Sequence, residues 1–431
     1  MIVGIIGSGG REHALCLKLN QSKIIEKIYC FPGNAGTNLI SNNIEINISD
    51  FKKIKKICEE KKIEMLVVGP EKPLVEGISD YFKNSNIKIF GPNKLASQLE
   101  GSKTFTKKIC KKFNIPTSKF EIFENKAEAL KFLKNSKFPI VVKADGLASG
   151  KGVYICKKFE ESKKAIEEIF EGRFGIANLV LIEEFLIGEE MSYFIISDGK
   201  TFKSFQSAQD HKRVGEGDTG PNTGGMGTYS DANHSLPFLN GNDIARARMI
   251  NEKTAEALQK EVGEGYKGIL YGGFMATANG VKLIEYNARL GDPESMNVLS
   301  ILKTDIVDIF NSIGRGTLNE LSIDFDNKAT VCKYAVPEGY PDEPIKGKKI
   351  DITSVSNKDS LFFASVDIEG NHLIEAGSRT VAVVGIASSI SQAEKIAEEE
   401  ISKVDGPLFH REDIGTDDLI RARIEHMESL R

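Results

Sequence analysis

Four apolar strings in the first hundred residues, MIVGIIG, KIYCF, IEMLVVG and IKIFG, alternate with the amphipathic stretches REHALCLKLNQ, FKKIKKICEEKK and PLVEGISDYFKNS. Short apolar runs separated by helix-period segments predict parallel strands joined by crossover helices, with both faces of the sheet covered. In such a sheet ligands bind outside the carboxyl ends of the strands. The turns GSGGREH, FPGNAGT and VGPEKPLVEG all follow strands, so they fall on that edge.

The chain has 431 residues, too many for one ordinary core, and three domains are expected. We place them at 1–102, an N-terminal α/β substrate domain; 103–325, a larger α+β region with a small lobe at about 118–190; and 326–431, a small mixed α/β domain. A net charge of −4 argues against a nucleic-acid surface, and no apolar run approaches the roughly 18 residues of a membrane span. The cysteines, Cys16, Cys30, Cys58, Cys110, Cys156 and Cys332, form no CxxC and mostly sit in apolar strings. Buried thiols in a reducing compartment follow, and the cytoplasm is the expected location. The N-terminus runs straight into a strand without a basic n-region.

After residue 115 short strands and one helix surround the loop KADGLASGKGV. From 191 to about 325 come more strands, the polar stretch DHKRVGEGDTGPNTGGMGTYS, a helix near 243–262, and GFMATANGVKLIEYNARLGDPES. A polar segment that long inside a compact enzyme is expected to work on a ligand. The last hundred residues predict a small antiparallel sheet that closes the molecule.

The first Gly-rich turn does not suit a dinucleotide. The third glycine of GxGxxG is replaced by Glu12, and the ribose-binding acid expected after the second strand is absent from Cys30, Phe31 and Pro32. What remains is a turn at a helix N-terminus, suited to a phosphate or carboxylate or serving only as a tight turn. The loop Lys143–Val153 misses the Walker A pattern, because three residues separate Gly146 from Gly150 and Gly152 follows Lys151. Lys143 ends a buried strand, where an ammonium needs an anion. A Gly-rich cover over a phosphate and a plain hairpin with surface lysines are both open. In KLIEYNARLGDPES, period two puts Glu285, Asn287 and Arg289 on one face, two hard oxygen donors beside a guanidinium.

Lys103 in GSKTFTK, then KADGLASGKGV, IEEFLIGEEMS and IEYNARLGDPES, in this order, resemble the ATP-grasp superfamily. GSGGREHA, PGNAGT, GPEKPLVEGI and above all AQDHKRVGEGDTGPNTGGMGTYS are similar to the glycinamide ribonucleotide synthetase family within it, and the resemblance reaches FHREDIG near the end. It implies that Lys103 and Lys143 contact ATP phosphates beneath a loop containing Gly146, Ser149, Gly150, Lys151, Gly152 and Val153. Glu183, Glu184, Phe185 and Leu186 would hold adenine, and Glu190 ribose. Glu285 and Asn287 would bind Mg²⁺ or Mn²⁺, and Arg289 would face the transferred phosphoryl group. Asp210, Lys212, Thr223 and Gly224 match the segment beside the amine and amino-acid sites. Gly9, Asn34, Gly36 and Thr37 would lie on the phosphoribosylamine side. Arg289, Asp210 and Lys143 are the expected catalytic groups.

The implied reaction joins glycine to 5-phosphoribosylamine through glycyl phosphate, in an enzyme expected to be a monomer, or at most a weak homodimer, with no nucleic-acid or membrane partner. Two positions depart from the pattern. GGFMAT offers no carboxylate on the strand before the metal strand, and Leu290 stands where the family commonly has an aromatic residue. The alternatives are another ATP-grasp ligase using bicarbonate and a nucleotide-binding protein without turnover. The histidines His13, His211 and His410 are assigned no chemistry.

Overall fold

In the computed structural model, which describes residues 1–147, 152–174 and 179–431, the first hundred residues form a five-stranded parallel sheet. Its order is Asn42–Asn43, Lys27–Pro32, Ile2–Gly7, Met65–Val68 and Lys88–Phe90. The central strand Ile2–Gly7 is buried along nearly its whole length. Helices cover both faces of this sheet, as continuous apolar runs require. On one side Leu15 and Cys16 of the helix Gly10–Asn20 join the main core; on the other, Ile54 and Cys58 of Phe51–Glu60 pack with Phe31 and Leu66.

A separate four-stranded antiparallel sheet makes the small lobe, in the order Phe120–Phe123, Val180–Glu184, Ile140–Ala144, Val153–Cys156. Two helices, Lys126–Leu133 and Phe159–Phe170, rather than the single one expected, bury Leu133 and Ile166 against Val142 and Val180. This lobe has its own apolar core.

The large lobe departs most from expectation. Its antiparallel sheet runs from Gly280–Asn287 through Lys267–Thr277, Gly188–Asp198, Phe202–Asp210 and Gly227–Ser230, then continues into Ala329–Pro337, Val381–Ala387 and Leu361–Phe363. Three C-terminal strands, Ala329–Pro337, Val381–Ala387 and Leu361–Phe363, therefore extend this sheet, and only part of the C-terminal region forms a sheet of its own. The reason is the edge of Gly227–Ser230, which takes Ala329–Pro337 as an antiparallel partner from Gly227↔Lys333 to Ser230↔Thr330. Every residue of Ala329–Pro337 is buried, as befits a central strand. A three-stranded sheet of Lys349–Ile350, His372–Glu375 and Val366–Glu369 stands apart.

The polar stretch after Asp210 is not structureless. Arg213–Gly215 pairs with Thr219–Asn222 as a hairpin around the short 3₁₀ turn Glu216–Asp218. All six cysteines are buried and free. Among the described residues no helix is long and apolar enough to cross a membrane.

Candidate active site

A cavity of about 970 Å³ opens where the N-terminal sheet, the small lobe and the large sheet meet. Its floor is built by a strand that breaks alternation. In Gly280–Asn287, Gly273 of the neighbouring strand pairs with Glu285 and Phe274 with Leu283, which leaves Ile284 as an extra residue. Without that bulge Glu285 would share the face of Leu283, which is fully buried in the core. With it, Glu285, Asn287 and Arg289 line the cavity.

Glu285 meets Lys212 at 3.3 Å, and the same ammonium lies 3.1 Å from Glu190. Burial alone would raise the Glu285 carboxyl, but Lys212, Lys143 and Lys103 hold it down to about 2. Burial likewise opposes the charge of Lys212, and Glu190 and Glu285 outweigh it, so the ammonium titrates well above its ordinary range. A hard-oxygen pair thus already neighbours a cation. Glu285 and Asn287 supply a carboxylate and an amide oxygen, donors that fit Mg²⁺ or Mn²⁺ when phosphate oxygens and water complete the shell. Among the described residues no cluster of three or more His, Cys, Asp or Glu forms a self-sufficient metal site.

Lys143 is the penultimate residue of the strand Ile140–Ala144 and pairs with Glu183 across the sheet at 3.1 Å. Lys107 approaches the same carboxylate at 3.2 Å, and Ser118 donates to it at 2.6 Å. Two ammoniums on one buried carboxylate leave net positive charge behind the cavity. Burial lowers Lys107 to about 8. Lys103 opens the helix Lys103–Lys112 and donates to the Gly146 carbonyl at 3.1 Å. Asp145 holds that helix end to the small lobe: its carboxylate accepts from the Thr104 backbone N–H and from the hydroxyls of Ser102 and Thr104. Gly146, Gly152 and Val153 line the cavity, while Ser149, Gly150 and Lys151 lie outside the described residues.

Glu183 to Leu186 line one wall of the cavity, and the carboxylates of Glu183 and Glu184 are engaged by Lys143 and Lys282. Glu184 accepts from Lys282 of the large lobe at 2.8 Å, a polar tie between the lobes. Phe185 and Ile187 are exposed on the connection to the strand Gly188–Asp198. An apolar surface with backbone groups beside it is the chemistry a purine ring needs.

Arg289 is clasped by two acids, Glu100 at 2.8 Å and Glu71 at 3.3 Å. Burial raises Glu100 to about 7 despite the guanidinium. Asp210 ends the strand Phe202–Asp210, and its carboxyl is pushed well up by burial and by Glu294, against Lys212 and Arg379. Its Oδ1 is buried and has no hydrogen-bond partner among the described residues. Gly225 lies beside it at φ +110, where an added Cβ would come within 2.6 Å of Oδ1, so only glycine leaves the carboxyl room. Thr223 and Gly224 also line the cavity; Thr223 donates to the Lys212 carbonyl, and the Gly224 carbonyl accepts from Arg379.

The N-terminal turns behave differently from each other. Gly9 lines the cavity, but its N–H donates to the Glu12 carboxylate at 2.6 Å, and the Arg11 N–H donates to Asp292 at 3.0 Å. The helix N-terminus expected to offer these donors to a phosphate or carboxylate is therefore capped by the chain's own acids. Asn34, Gly36 and Thr37 are absent from the cavity wall. Asn34 donates to the carbonyls of Ser8 and Phe363, each at 2.8 Å, Gly36 packs on His13 and Phe363, and Thr37 is fully buried. That turn fastens the C-terminal region to the first sheet.

Models of phosphoribosylglycinamide synthetase match almost the whole chain: the N domain over residues 1–100, the ATP-grasp (A) domain over 101–295 and the C domain over 330–417. Phosphoribosylamine–glycine ligase of Methanocaldococcus jannaschii is 43% identical, with 100% of both chains covered. The chain belongs to the phosphoribosylglycinamide synthetase family. The solved phosphoribosylamine–glycine ligase of Thermotoga maritima is 32% identical with a TM-score of 0.83, covering 96% of this chain and 100% of its own. The biotin carboxylase domain of Hydrogenobacter thermophilus 2-oxoglutarate carboxylase, solved with MgADP, ADP and bicarbonate, shares the fold at 16% identity and a TM-score of 0.73, covering 99% of this chain and 93% of its own.

Several groups on this synthetase cavity wall escape a linear reading. Lys107 carries a signal, since it lies one helical turn beyond Lys103. Glu71, Glu100, Arg379 and Arg423 carry none, because only tertiary packing brings them to the cavity.

Proposed function

We propose that this synthetase-family chain joins glycine to 5-phosphoribosylamine, converting ATP to ADP and phosphate and forming glycinamide ribonucleotide for purine synthesis. The observation that carries the reading is the convergence of Lys103, Lys143, Glu285, Asn287 and Arg289 on one cavity that also receives Asp210, Thr223 and Gly224. In this reading residues 1–102 serve the phosphoribosylamine side, 103–325 bind nucleotide with the small lobe as a cover, and 326–431 complete the wall. The six buried thiols suit a reducing cytoplasm.

A glycine carboxylate oxygen attacks the γ-phosphorus of ATP, the bond to the β-phosphate oxygen breaks, and ADP leaves. The amine of phosphoribosylamine then attacks the acyl carbon, the acyl C–O bond breaks, phosphate leaves, and the nitrogen loses a proton. The chain needs no covalent nucleophile. Lys103 and Lys143 neutralise the nucleotide phosphates, and Arg289 faces the charge that passes between the two anions. Bound at Glu285 and Asn287, Mg²⁺ or Mn²⁺ would neutralise phosphate oxygens. Asp210 pairs with the glycine ammonium, whose charge restores the ionised carboxylate that burial disfavours. The small lobe excludes water from the acyl phosphate.

ADP release is to be measured with Mg-ATP, glycine and phosphoribosylamine generated in place, each omitted in turn. Release that requires all three is expected. Release with bicarbonate in place of glycine would keep the nucleotide chemistry and overturn the substrate, and ATP binding without release would reduce the chain to a binding protein.

A further inference from the structure

The last helix, Asp417–Leu430, begins where the match to the family's C domain stops, at residue 417. It nonetheless supplies two side chains to the cavity wall, Arg423 and His426. Arg423 stands between two segments far apart in sequence. Its guanidinium pairs with Asp218, at the tip of the hairpin that follows Lys212, and its Nε forms an ion pair at 3.3 Å with Glu189, the neighbour of Glu190, without hydrogen-bond geometry. His426 Nδ1 adds a 2.5 Å contact to the other oxygen of Glu189.

Further contacts hold the acids at both ends of this tie. Glu189 is buried, and Gln209 donates to it at 3.3 Å. Asp218 is held a second time by the fully buried Arg411 at 2.9 Å, and Arg411 is oriented by Asp413, which also accepts from the Gly217 N–H at 3.0 Å. Burial would raise the Asp218 carboxyl, but the adjoining cations bring it to about 2, so the tie stays charged. In front of the tie, inside the cavity, the same two segments meet as Lys212 and Glu190 at 3.1 Å. Without Arg423 the buried Glu189 keeps only His426 and Gln209 behind Glu190, and the strand loses its cationic link to the hairpin.

We propose that Arg423 is a positioning residue for the nucleotide: by bridging Glu189 and Asp218 it fixes Glu190 against Lys212 and sets the affinity of that end of the cavity. The inference rests on the reading of this cavity as an ATP site. The last helix is thus part of the substrate-binding apparatus, although neither of its side chains belongs to the reacting constellation.

The test uses the full chain with R423Q, R423K and H426A. Calorimetry gives the Kd for ADP, steady-state kinetics give KM for ATP and for glycine, and melting temperature reports folding. R423Q is expected to raise KM for ATP and Kd for ADP about tenfold while KM for glycine stays within about twofold, with R423K recovering part of the loss. H426A is expected to shift the same two quantities less, and it decides the matter should R423Q fail to fold. Unchanged ADP affinity in both variants overturns the proposal, as does a parallel rise in both KM values with a falling melting temperature. A parent enzyme that binds ADP but forms no product would instead overturn the proposed function, leaving ADP affinity to decide the role of Arg423.

Discussion

The ammonium of Lys212 lies 3.3 Å from the carboxylate of Glu285, the residue proposed to hold a divalent cation. A cation that enters there must compete with the lysine before nucleotide brings its own phosphates. K212M is therefore expected to bind free Mn²⁺ more tightly than the parent, by about tenfold, since one nearby positive charge is removed from a partly screened site. Electron paramagnetic resonance of Mn²⁺ titrated without nucleotide checks this. Equal or weaker binding in K212M would show that the ammonium does not occupy the cation's place.

Arg289 is held on Glu100 and Glu71, apart from Lys143, whose carboxylate partner is Glu183. Loss of its side chain should spare ATP binding and remove charge stabilisation during phosphoryl transfer. R289A is expected to lower kcat by at least about 10²-fold with ADP affinity within about threefold of the parent. Normal turnover in R289A would remove Arg289 from the reaction.

Asp210 has a buried oxygen without a partner among the described residues and a carboxyl raised well above its ordinary range, first by burial and then by Glu294. If it pairs with the glycine ammonium, D210N should raise KM for glycine by about ten- to a hundredfold, the range of a charge-assisted hydrogen bond, and leave KM for ATP nearly unchanged. In the parent, KM for glycine should climb as pH falls, because protonation removes the partner. A glycine KM that D210N does not alter would sink the assignment.

Glu100 is raised to about 7 from 4.5, chiefly by burial. The folded state therefore holds a proton that the unfolded state releases at lower pH. Its contribution to stability is complete below about 4.5 and disappears as pH rises through about 7, a change on the order of 3 kcal/mol. E100Q should flatten that part of the profile, as seen in urea unfolding at pH 5 and pH 8. An unchanged profile would show that Glu100 ionises normally.

Much of this architecture was legible in the residues. Alternating apolar runs announced the N-terminal parallel sheet, and local motifs placed Lys103, Lys143, Glu285 and Arg289 together. The failures have a common cause. Asn34 and Thr37 sit in a Gly-rich turn that looks built for an anion, but Asn34 is occupied by a carbonyl 329 residues away. Glu12 and Asp292 answer the donors of the first helix, and nothing in GSGGREHA advertises that the second of them arrives from the far side of the cavity. The bulge at Ile284 shows the same limit at shorter range. Periodicity puts Glu285 and Asn287 on one face, but it cannot say that Leu283 lies on the other.

The shared sheet has a practical consequence for anyone who dissects the molecule. Strands on both sides of residue 325 pair along the Gly227–Ser230 edge, so a fragment cut there would carry a freshly bared row of N–H and C=O groups beside an apolar face. Such an edge templates pairing with another copy. Separating residues 103–325 from the rest would therefore yield a self-associating fragment, not a simpler enzyme.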